Sequence, residues 1–322
     1  MGFFLGIDTS NYTTSAAIYN SDSGKMLRKK QLLPVKDGEC GLRQSDAVFH
    51  HVRQLPDIID ELMQSFDGSI TAVGASSRPR DVEGSYMPCF TVGHGTARIL
   101  ADMLHVPLYT FSHQSGHIAA ALYSAEKTEL IGQRFLAFHV SGGTTEAVIV
   151  GYDDETVFTA ELVAKTLDLN AGQLVDRTGV MLGLPFPSGM QLEKLALGNT
   201  EKLNPRISLK GFDCCLSGVQ NICEKAHRDG RSPEYISALC LAYIEKTLTA
   251  MCDRLLEHYG NMPVVFAGGV MSNSIIRRSL SGRYGAFFAQ PEFSSDNACG
   301  TALLCSIKHR LKNNVIIIRK GE

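Results

Sequence analysis

One fifteen-residue pattern occurs twice in the chain, as FLGIDTSNYTTSAAI at residues 4–18 and as FLAFHVSGGTTEAVI at residues 135–149. In both segments, apolar stretches flank a cluster of small polar residues, a pattern typical of a strand, a tight turn and a second strand. Any two hairpins share some of these features, but the degree of identity favours an internal duplication in which each half of the chain opens on one hairpin. The segments align without a gap and are identical at seven positions, Phe4/Phe135, Leu5/Leu136, Ser10/Ser141, Thr13/Thr144, Thr14/Thr145, Ala16/Ala147 and Ile18/Ile149.

Halves that each open on such a hairpin indicate an α/β fold with two actin-like lobes around a central cleft, the architecture shared by actin, sugar kinases and heat-shock proteins (ASKHA). A chain of 322 residues is long enough for two cores. We place the N-terminal lobe at residues 1–132 and the C-terminal lobe, with a helical insertion, at residues 133–322. In this architecture the backbone amides of the two turns hold nucleotide phosphates, so short side chains are favoured. The SGG turn of the second hairpin suits this role better than the bulkier SNYT turn of the first.

The remaining segments follow the alternation of strands and helices that such lobes require. An amphipathic stretch near residues 46–66 predicts a helix that is broken near Pro56. No low-complexity linker interrupts the chain, so we expect both lobes to fold as one unit. Other predicted elements are a buried strand at 70–76, a strand that ends at His113, helical segments around 168–230, a long apolar helix at 233–260, a strand–glycine turn–helix unit at 262–273 and a last helix from about residue 295.

Composition excludes several classes of protein. The net charge of −2 at pH 7 argues against a strongly basic nucleic-acid clamp, so any RNA would bind a local patch or through a partner. No apolar run approaches the ~20 residues of a membrane span, and the N-terminal stretch lacks the basic region of a signal peptide. Nine cysteines without a CxxC pair are typical of reduced thiols, not of a disulfide frame or zinc finger. We therefore expect a cytoplasmic protein and do not favour a catalytic cysteine.

The stretch SHQSGHIAAAL places His113 and His117 four residues apart, on one face of a helix. Such a pair can ligate a metal, although the spacing also arises by chance among ten histidines. No HExxH motif is present, so the pair lacks the general base of a zinc peptidase. A metal would need further ligands, for which His139 and Asp296 are candidates. Asp296 also fits the alternative role of a helix N-cap.

Two further segments carry residues suited to a nucleoside. In VVFAGGVMSN, Gly268 and Gly269 would let a flat base or ribose lie on the backbone, and Asn273 could hydrogen-bond it. The alternative is an ordinary turn between a strand and a helix. Near glycine-rich turns, Asp176 and Glu193 could accept hydrogen bonds from both ribose hydroxyls, a common way of binding a nucleoside. For each acid alone, charge on a helix surface is the simpler explanation.

Taken in order, these segments resemble motifs of the TsaD/Gcp family, from Gly6 to about Leu304. Members of that family transfer a threonylcarbamoyl group from threonylcarbamoyl-adenylate to N6 of an adenosine in tRNA. The resemblance therefore implies a metal-dependent acyltransferase of tRNA processing, in which the metal polarises the carbonyl that the adenosine amine attacks. The resembling segments are GIDTS, HQSGH, VSGGTT, DLNAGQLVDRTGVMLGLPFPSG, CLSGVQ, AGGVMSN and SSDNA.

The resemblance also implies roles for particular residues and partners. It implies metal ligation by His113, His117 and Asp296, and His139 stands where many relatives carry a tyrosine ligand. One divalent metal, iron or zinc, and ATP, AMP or an acyl-adenylate are the implied ligands. The implied partners are a small paralogous subunit, an ATPase, and tRNA bound through a partner. Nucleotide or acyl-adenylate contacts fall on Val140, Ser141, Gly142, Gly143, Thr144, Asp176, Gly189, Glu193 and Asn273.

Several positions depart from the family pattern. Tyr12 and Thr13 replace an acidic pair that family activity needs, and a longer loop with Arg78 and Arg80 replaces the GPGL loop. Three hypotheses therefore remain open. They are the tRNA transferase, a divergent paralogue that moves a carbamoyl-type or acyl group to another acceptor, and a non-catalytic nucleotide-binding partner subunit. In the divergent paralogue, Arg78 and Arg80 could bind an anionic group of the acceptor. A sugar kinase is less favoured because no catalytic aspartate stands in its usual hairpin context, and a glycoprotease because no nucleophile–base pair is evident. A histidine, a glutamate and a lysine of the family are replaced by Thr144, Gln173 and Gln220.

Overall fold

The computed structural model describes residues 2–10, 12–34, 42–290 and 297–313, which fall into two compact units. Unit 1 comprises Met1–Gln133, Gly151–Ala160 and Glu292–Glu322. Unit 2 comprises Arg134–Val150 and Glu161–Pro291. The strands are β1 (Phe3–Thr9), β2 (Thr13–Asn20), β3 (Met26–Leu32), β4 (Ile70–Arg78), β5 (Leu108–Ser112), β6 (Phe135–Val140), β7 (Thr145–Asp153), β8 (Val157–Lys165), β9 (Leu209–Lys210), β10 (Asp213–Cys214), β11 (Val264–Ala267) and β12 (Phe287–Phe288). The helices are α1 (Gln44–Gln64), α2 (Phe90–Leu104), α3 (His113–Ser124), α4 (Ala171–Met181), α5 (Gly189–Ala196), α6 (Ser217–Arg228), α7 (Pro233–Tyr259), α8 (Ser274–Tyr284) and α9 (Asn297–Lys312).

The two five-stranded sheets have the same topology. The first runs in the order β3-β2-β1-β4-β5 and the second in the order β8-β7-β6-β11-β12. In each, the opening strand pairs antiparallel with its hairpin partner and parallel with a later strand, β4 or β11. The hairpin register is also kept, because Thr9 faces Thr14 and the aligned Val140 faces Thr145. The structure therefore confirms the duplication and the α/β class predicted from the repeat.

In unit 1, α1 and α2 cover one face of the first sheet. Alternate residues of β1, Leu5 and Ile7, join a buried cluster with Leu55 and Ile58 of α1 and Ala97 of α2. Side chains alternate between the two faces of a strand, so Thr9 shares this face and bonds the N–H of Gly93 in α2 (3.0 Å) where the apolar contacts end. Burial of the apolar side chains is the main source of stability for the helices on this side of the sheet.

Helix α9 packs on the other face of the same sheet, where small residues allow a close approach. A Cβ at Gly6 of β1 would collide with the backbone of Ala298 in α9. Lys308 of α9, 5% exposed, donates from Nζ to the Asp154 carbonyl (2.5 Å) and to Glu155 (3.1 Å) at the tip of the β7–β8 hairpin. The division predicted from the sequence put α9 in the C-terminal lobe, whereas these contacts join it to unit 1.

Helix α1 runs without interruption through Pro56, so the break predicted at this residue is wrong. Proline removes one backbone donor and leaves the carbonyl of Val52 without its helical partner. Both residues are exposed, so water can satisfy that carbonyl. Leu55 and Leu62 anchor the opposite, buried face of the helix, and burial of that face outweighs the lost hydrogen bond.

In unit 2, the second sheet carries a stack of aromatic rings and a long helix. The rings of Phe138, Phe266 and Phe288 follow one another across β6, β11 and β12, with centroids 4.9 and 5.2 Å apart. The predicted long helix is confirmed as α7, which Ser232 caps by accepting from the N–H of Tyr235 at 3.2 Å. Helices α4 to α6 lie between β8 and α7 in the chain. Within the described ranges, neither α7 nor any other helix is long and apolar enough to cross a membrane.

Candidate active site

The turn of the second hairpin is fixed by its own hydrogen bonds and by the start of α4. The N–H of Ser141 donates to the Thr144 carbonyl (2.7 Å), and the N–H of Thr144 donates to Ser141 Oγ (3.1 Å). The N–H of Gly172 donates to the Ser141 carbonyl (3.0 Å), and a Cβ at Gly172 would collide with the turn backbone. Gly142 and Gly143 are exposed, and no acceptor among the described residues engages their amides. Two amides without an acceptor, on exposed glycines beside a helix N-terminus, suit an anion such as a phosphate.

His51 of α1 holds the turn of the first hairpin. Its Nε2 lies 2.7 Å from the Ser10 carbonyl oxygen, and its Nδ1 lies 2.7 Å from Thr14 Oγ1. Burial lowers the pKa of His51, so the ring is neutral near pH 7. Because a carbonyl only accepts, Nε2 carries the proton and donates to Ser10. Nδ1 faces the Thr14 hydroxyl, which also donates to Gln54 Oε1 at 2.8 Å. This turn is therefore held mainly by a side chain, and the N–H of Gly93, near the start of α2, donates to Thr9 Oγ1 (3.0 Å) at the end of β1.

A cavity of about 280 Å³ opens in unit 2 beside α5, α7 and the turn that leads into α8. Four of the residues predicted to bind a nucleoside line it, namely Gly189, Glu193, Gly269 and Asn273. Apolar walls with a few polar groups are typical of a site for a flat, partly polar ligand. The other lining residues are Val175, Met190, Leu241, Val270 and Ser272.

Glu193 is the hydrogen-bonding centre of this cavity. Its Oε1 accepts from the N–H (2.9 Å) and the hydroxyl (2.5 Å) of Ser274, and its Oε2 accepts from Nδ2 of Asn273 (3.1 Å). Asn273 in turn caps α8, because its Oδ1 accepts from the N–H groups of Ile275 and Ile276, both at 3.1 Å. These donors hold the carboxylate in place, and Oε2 keeps capacity for a further donor such as a ribose hydroxyl.

Two of the predicted residues support the cavity without lining it. Gly268 has a φ of 101°, and a Cβ there would collide with the Val140 carbonyl, so glycine is needed at this position for packing against β6. The open backbone predicted for a base is found at Gly269, where a Cβ would meet nothing within 4 Å. Asp176 accepts from the N–H of Ser188 (2.9 Å) and so holds the segment that leads into α5.

The predicted histidine pair lies at the start of α3, directly after β5. Ser112 caps this helix by accepting from the N–H of Ser115 at 3.1 Å. The rings of His113 and His117 lie on one face with their centroids 4.4 Å apart. Nδ1 of His113 lies 2.9 Å from Oδ1 of Asp8, a residue only 1% exposed. The structure confirms that His113 and His117 share a helix face. It also places the buried carboxylate of Asp8 beside His113, which the sequence analysis did not predict.

The donor atoms around His113 fit a cation. Asn297, at the start of α9, contacts Nδ1 of His113, and its Oδ1 is buried with no donor among the described residues. Two imidazoles beside an orphaned amide oxygen suit zinc or iron. No group of three His, Cys, Asp or Glu side chains forms within the described ranges, and Asp296 lies outside them. His139 is placed on β6 in unit 2, and the ligand roles of His139 and Asp296 stay predictions.

Asp81 ties the long loop after β4 to the start of α3. Its Oδ2 accepts from the hydroxyls of Ser112 (2.5 Å) and Ser115 (2.9 Å). Its Oδ1 accepts from Nε (3.0 Å) and Nη2 (2.5 Å) of Arg78. Arg78 is thereby committed to Asp81, which argues against Arg78 as the reader of a substrate anion. The loop that departs from the family pattern instead supports the helix that carries the histidine pair.

Two of the replaced polar residues make structural contacts. Gln173 accepts from the N–H of Asn170 (3.1 Å) and completes the capping box of α4, a role that glutamine and glutamate both perform. Gln220 accepts from Arg177 (2.9 Å) and donates to Glu224 (2.7 Å). The loss of a family glutamate at Gln173 therefore leaves the start of α4 intact.

The described cysteines are free thiols. Burial raises the pKa of Cys89 and of Cys214 to about 11 and that of Cys252 to about 12. A thiol with so high a pKa is a poor nucleophile near neutral pH. These three environments agree with the prediction of reduced, non-catalytic cysteines.

Sequence reasoning missed Asp8, Asp81 and Asn297. A signal for Asp8 was present, because the repeat alignment places it at the position of His139 in the second hairpin. Asn297 follows Asp296 directly in the SSDNA motif. Asp81 carried no such signal, since its partners depend on how the loop after β4 folds back on α3.

Comparison with known proteins identifies the family. Residues 38–303 match the family TsaD, described as tRNA N6-adenosine threonylcarbamoyltransferase. The chain belongs to the TsaD family. The matched range holds the histidine pair and the cavity around Glu193, whereas the first hairpin, with Tyr12 and Thr13, precedes it. Family membership makes a tRNA-modifying transferase the general class of enzyme.

Solved structures that resemble this TsaD-family chain establish the actin-like fold. HypF from T. kodakarensis has a TM-score of 0.62 at 14% identity over 96% of this chain, which spans only 47% of HypF. Component A of (R)-2-hydroxyglutaryl-CoA dehydratase from Acidaminococcus fermentans has a TM-score of 0.54 at 15% identity, over 96% of this chain and 100% of that one. A ROK family glucokinase from Streptomyces griseus in complex with glucose and AMPPNP has a TM-score of 0.51 at 11% identity, with the same coverage. At these identities the likeness concerns the fold alone.

Proposed function

We propose that this TsaD-family protein transfers a threonylcarbamoyl group from threonylcarbamoyl-adenylate to N6 of an adenosine in tRNA. The observation that carries the proposal is the fixed carboxylate of Glu193 in an apolar-walled cavity of about 280 Å³ beside the open backbone of Gly269. A nucleoside needs such a combination of flat apolar surface and oriented acceptor. The amides of the exposed Gly142 and Gly143 in the same unit, which no described acceptor engages, would supply an anion site for the adenylate phosphate.

In this proposal the chain contributes mainly position and charge. The exocyclic amine of adenine is a poor nucleophile, so a fixed approach to the carbonyl must supply much of the acceleration. The two turn amides would stabilise the phosphate of AMP as it leaves, and Glu193 would keep the ribose in place. Iron or zinc, held by His113 and His117, would supply a Lewis acid for the threonylcarbamoyl carbonyl when bound.

A different acceptor is the second candidate, and the first hairpin favours it. Tyr12 is 46% exposed and Thr13 is 6% exposed, at the two positions where the family pattern has acids. A phenol and a buried hydroxyl do not replace carboxylates near pH 7. A paralogue that moves a carbamoyl-type or acyl group elsewhere would keep the donor site of unit 2 and differ in this hairpin.

The test is transfer of labelled threonine from preformed threonylcarbamoyl-adenylate to unmodified tRNA, with and without cell extract. We expect label in tRNA for the wild type and for Glu257→Gln, an exposed control on α7. Glu193→Gln and His113→Ala should lose it. AMP release without labelled tRNA would favour the second candidate, transfer to a different acceptor. Absence of both labelled tRNA and released AMP, even with extract, would contradict both candidates.

We further propose a small paralogous subunit as partner, with an ATPase in the same assembly and tRNA bound through it. Helices α1 and α2 expose Phe49 (56%), Val52 (56%), Ile99 (65%) and Met103 (75%). Apolar side chains grouped on a surface often mark a protein interface. Ile99→Glu together with Met103→Glu should abolish co-elution with the subunit. Ile222→Glu on α6, 39% exposed, is the matched control, and equal co-elution of all variants would exclude this surface.

A further inference from the structure

Asp8 is a carboxylate in the core of unit 1. It is 1% exposed, and its strand neighbours Ile7 and Thr9 are fully buried. A buried carboxylate without a partner is strongly disfavoured. The partner that the structure provides is Nδ1 of His113, 2.9 Å from Asp8 Oδ1. The buried carboxylate of Asp8 therefore depends on the orientation of one imidazole ring for its hydrogen-bond partner.

The ring of His113 is held on several sides. The ring of Phe90 lies 5.4 Å away and that of His117 lies 4.4 Å away, measured between centroids. Asn297 donates from Nδ2 to the His113 carbonyl (3.0 Å), and the same Nδ2 contacts Nδ1 and lies 3.2 Å from Nε2, so a metal on Nε2 would replace this amide group. With the Nδ1 proton directed at Asp8, the lone pair of a neutral His113 is on Nε2.

We propose that Asp8 is a positioning residue that fixes the ring orientation and tautomer of His113 for metal ligation through Nε2. Metal-ligating histidines generally donate their other ring N–H to a carboxylate or carbonyl, which raises their basicity and fixes the ring. The inference rests on the proposed function, because it takes His113 as a metal ligand. It adds a residue to which the sequence prediction assigned no role.

The alternative is that Asp8 supports the fold around β1 without acting through the ring of His113. The two roles differ in how mutations combine. If Asp8 acts through the ring of His113, its effect on metal affinity must vanish once that ring is removed. If Asp8 only supports the fold, its loss weakens metal binding equally with or without the ring.

The experiment is a double-mutant cycle on Zn²⁺ affinity, measured on the purified full chain by competition with a chromophoric chelator. We expect Asp8→Asn to weaken Zn²⁺ binding by about 10- to 100-fold, and Asp57→Asn, an exposed carboxylate on α1, to leave it unchanged. In the His113→Ala background, Asp8→Asn should have no further effect. An equal loss in both backgrounds, or affinity within about twofold of wild type for Asp8→Asn alone, would overturn the inference.

Failure of the metal site itself gives a different result. If neither His113→Ala nor His117→Ala changes Zn²⁺ affinity, the metal assignment in the proposed function is contradicted together with the inference. A measurement on the metal-free wild type avoids variants that fold poorly. Nitrogen-15 shifts of the His113 ring should show the proton on Nδ1, and a proton on Nε2 alone would overturn the role of Asp8.

Discussion

The two hairpins of the repeat share one register but are held in place by different groups. In the second hairpin, the Ser141 carbonyl accepts from the N–H of Gly172 (3.0 Å), and Thr145 Oγ1 accepts from the N–H of Ala171 (2.9 Å). Both donors belong to the first turn of α4. The positive end of a helix dipole therefore lies against this turn, and no acceptor among the described residues engages the amides of Gly142 and Gly143.

In the first hairpin, the equivalent acceptors are the Ser10 carbonyl and Thr14 Oγ1, and both meet the ring of His51. The imidazole contacts both polar groups, and the start of α2 reaches only the end of β1, where the N–H of Gly93 donates to Thr9 Oγ1 (3.0 Å). The duplicated strands thus kept their pairing, while the groups that hold the two turns diverged. This difference predicts distinct results for substitutions in the two halves.

The largest expected effect is on the second turn. Gly172→Ala places a Cβ against the turn backbone, so we expect AMP binding to be lost and the free energy of unfolding to fall by about 1–3 kcal/mol. Calorimetric titration with AMP and chemical denaturation measure the two quantities. Gly282→Ala, on the open face of α8, is the control and should gain about 0.5–1 kcal/mol. Normal AMP binding by Gly172→Ala would show that the turn is not the anion site.

Glu193→Gln sharpens the comparison, because this carboxylate belongs to unit 2, which also contains the turn at Gly142 and Gly143. Glutamine presents an N–H₂ group to one of the donors from Ser274 or Asn273, so a donor then faces a donor. We expect AMP affinity to fall by about 1.5–3 kcal/mol, measured by titration beside Glu257→Gln. Wild-type affinity would place the ribose elsewhere.

His51→Ala should affect the first half only. Loss of the ring leaves the buried Ser10 carbonyl without its donor, which costs about 1–3 kcal/mol in the free energy of unfolding. AMP affinity should stay within about twofold of wild type, since the anion site lies in the other hairpin. A large loss of AMP binding without loss of stability would break the proposed division of roles.

The pH dependence of stability gives a smaller effect with a defined sign. Burial lowers the pKa of His51 in the folded chain, whereas the unfolded value is about 6.5. The contribution of the neutral ring is therefore complete above about pH 6.5 and is lost as the pH falls through the folded pKa, because the unfolded chain takes up a proton first. Denaturation between pH 7 and 5 should show a shallower slope for His51→Gln than for wild type. Equal slopes would mean that His51 does not titrate differently on folding.

The repeat was sufficient to predict the duplicated sheets, because aligned hairpins with the same buried positions must pair in the same register. Helical spacing likewise predicted the common face of His113 and His117. Contacts between distant segments were not accessible in this way. Asp8 reaches His113 across 105 residues only because of the strand order in the first sheet, and α9 joins that sheet after the whole second repeat. The rule that proline breaks a helix failed at Pro56, because burial of one face of α1 outweighed the lost hydrogen bond.

Amide hydrogen exchange of the wild type, with and without saturating AMP, tests the central claim most directly. The claim is that the second repeat holds the nucleotide through the turn at Gly142 and Gly143 and the segment from Gly269 to Asn273. We predict slower exchange in both segments when AMP is bound and no change at the turn of the first hairpin. Bound AMP that slows exchange at the first hairpin, and leaves both segments of the second repeat unchanged, would contradict the account.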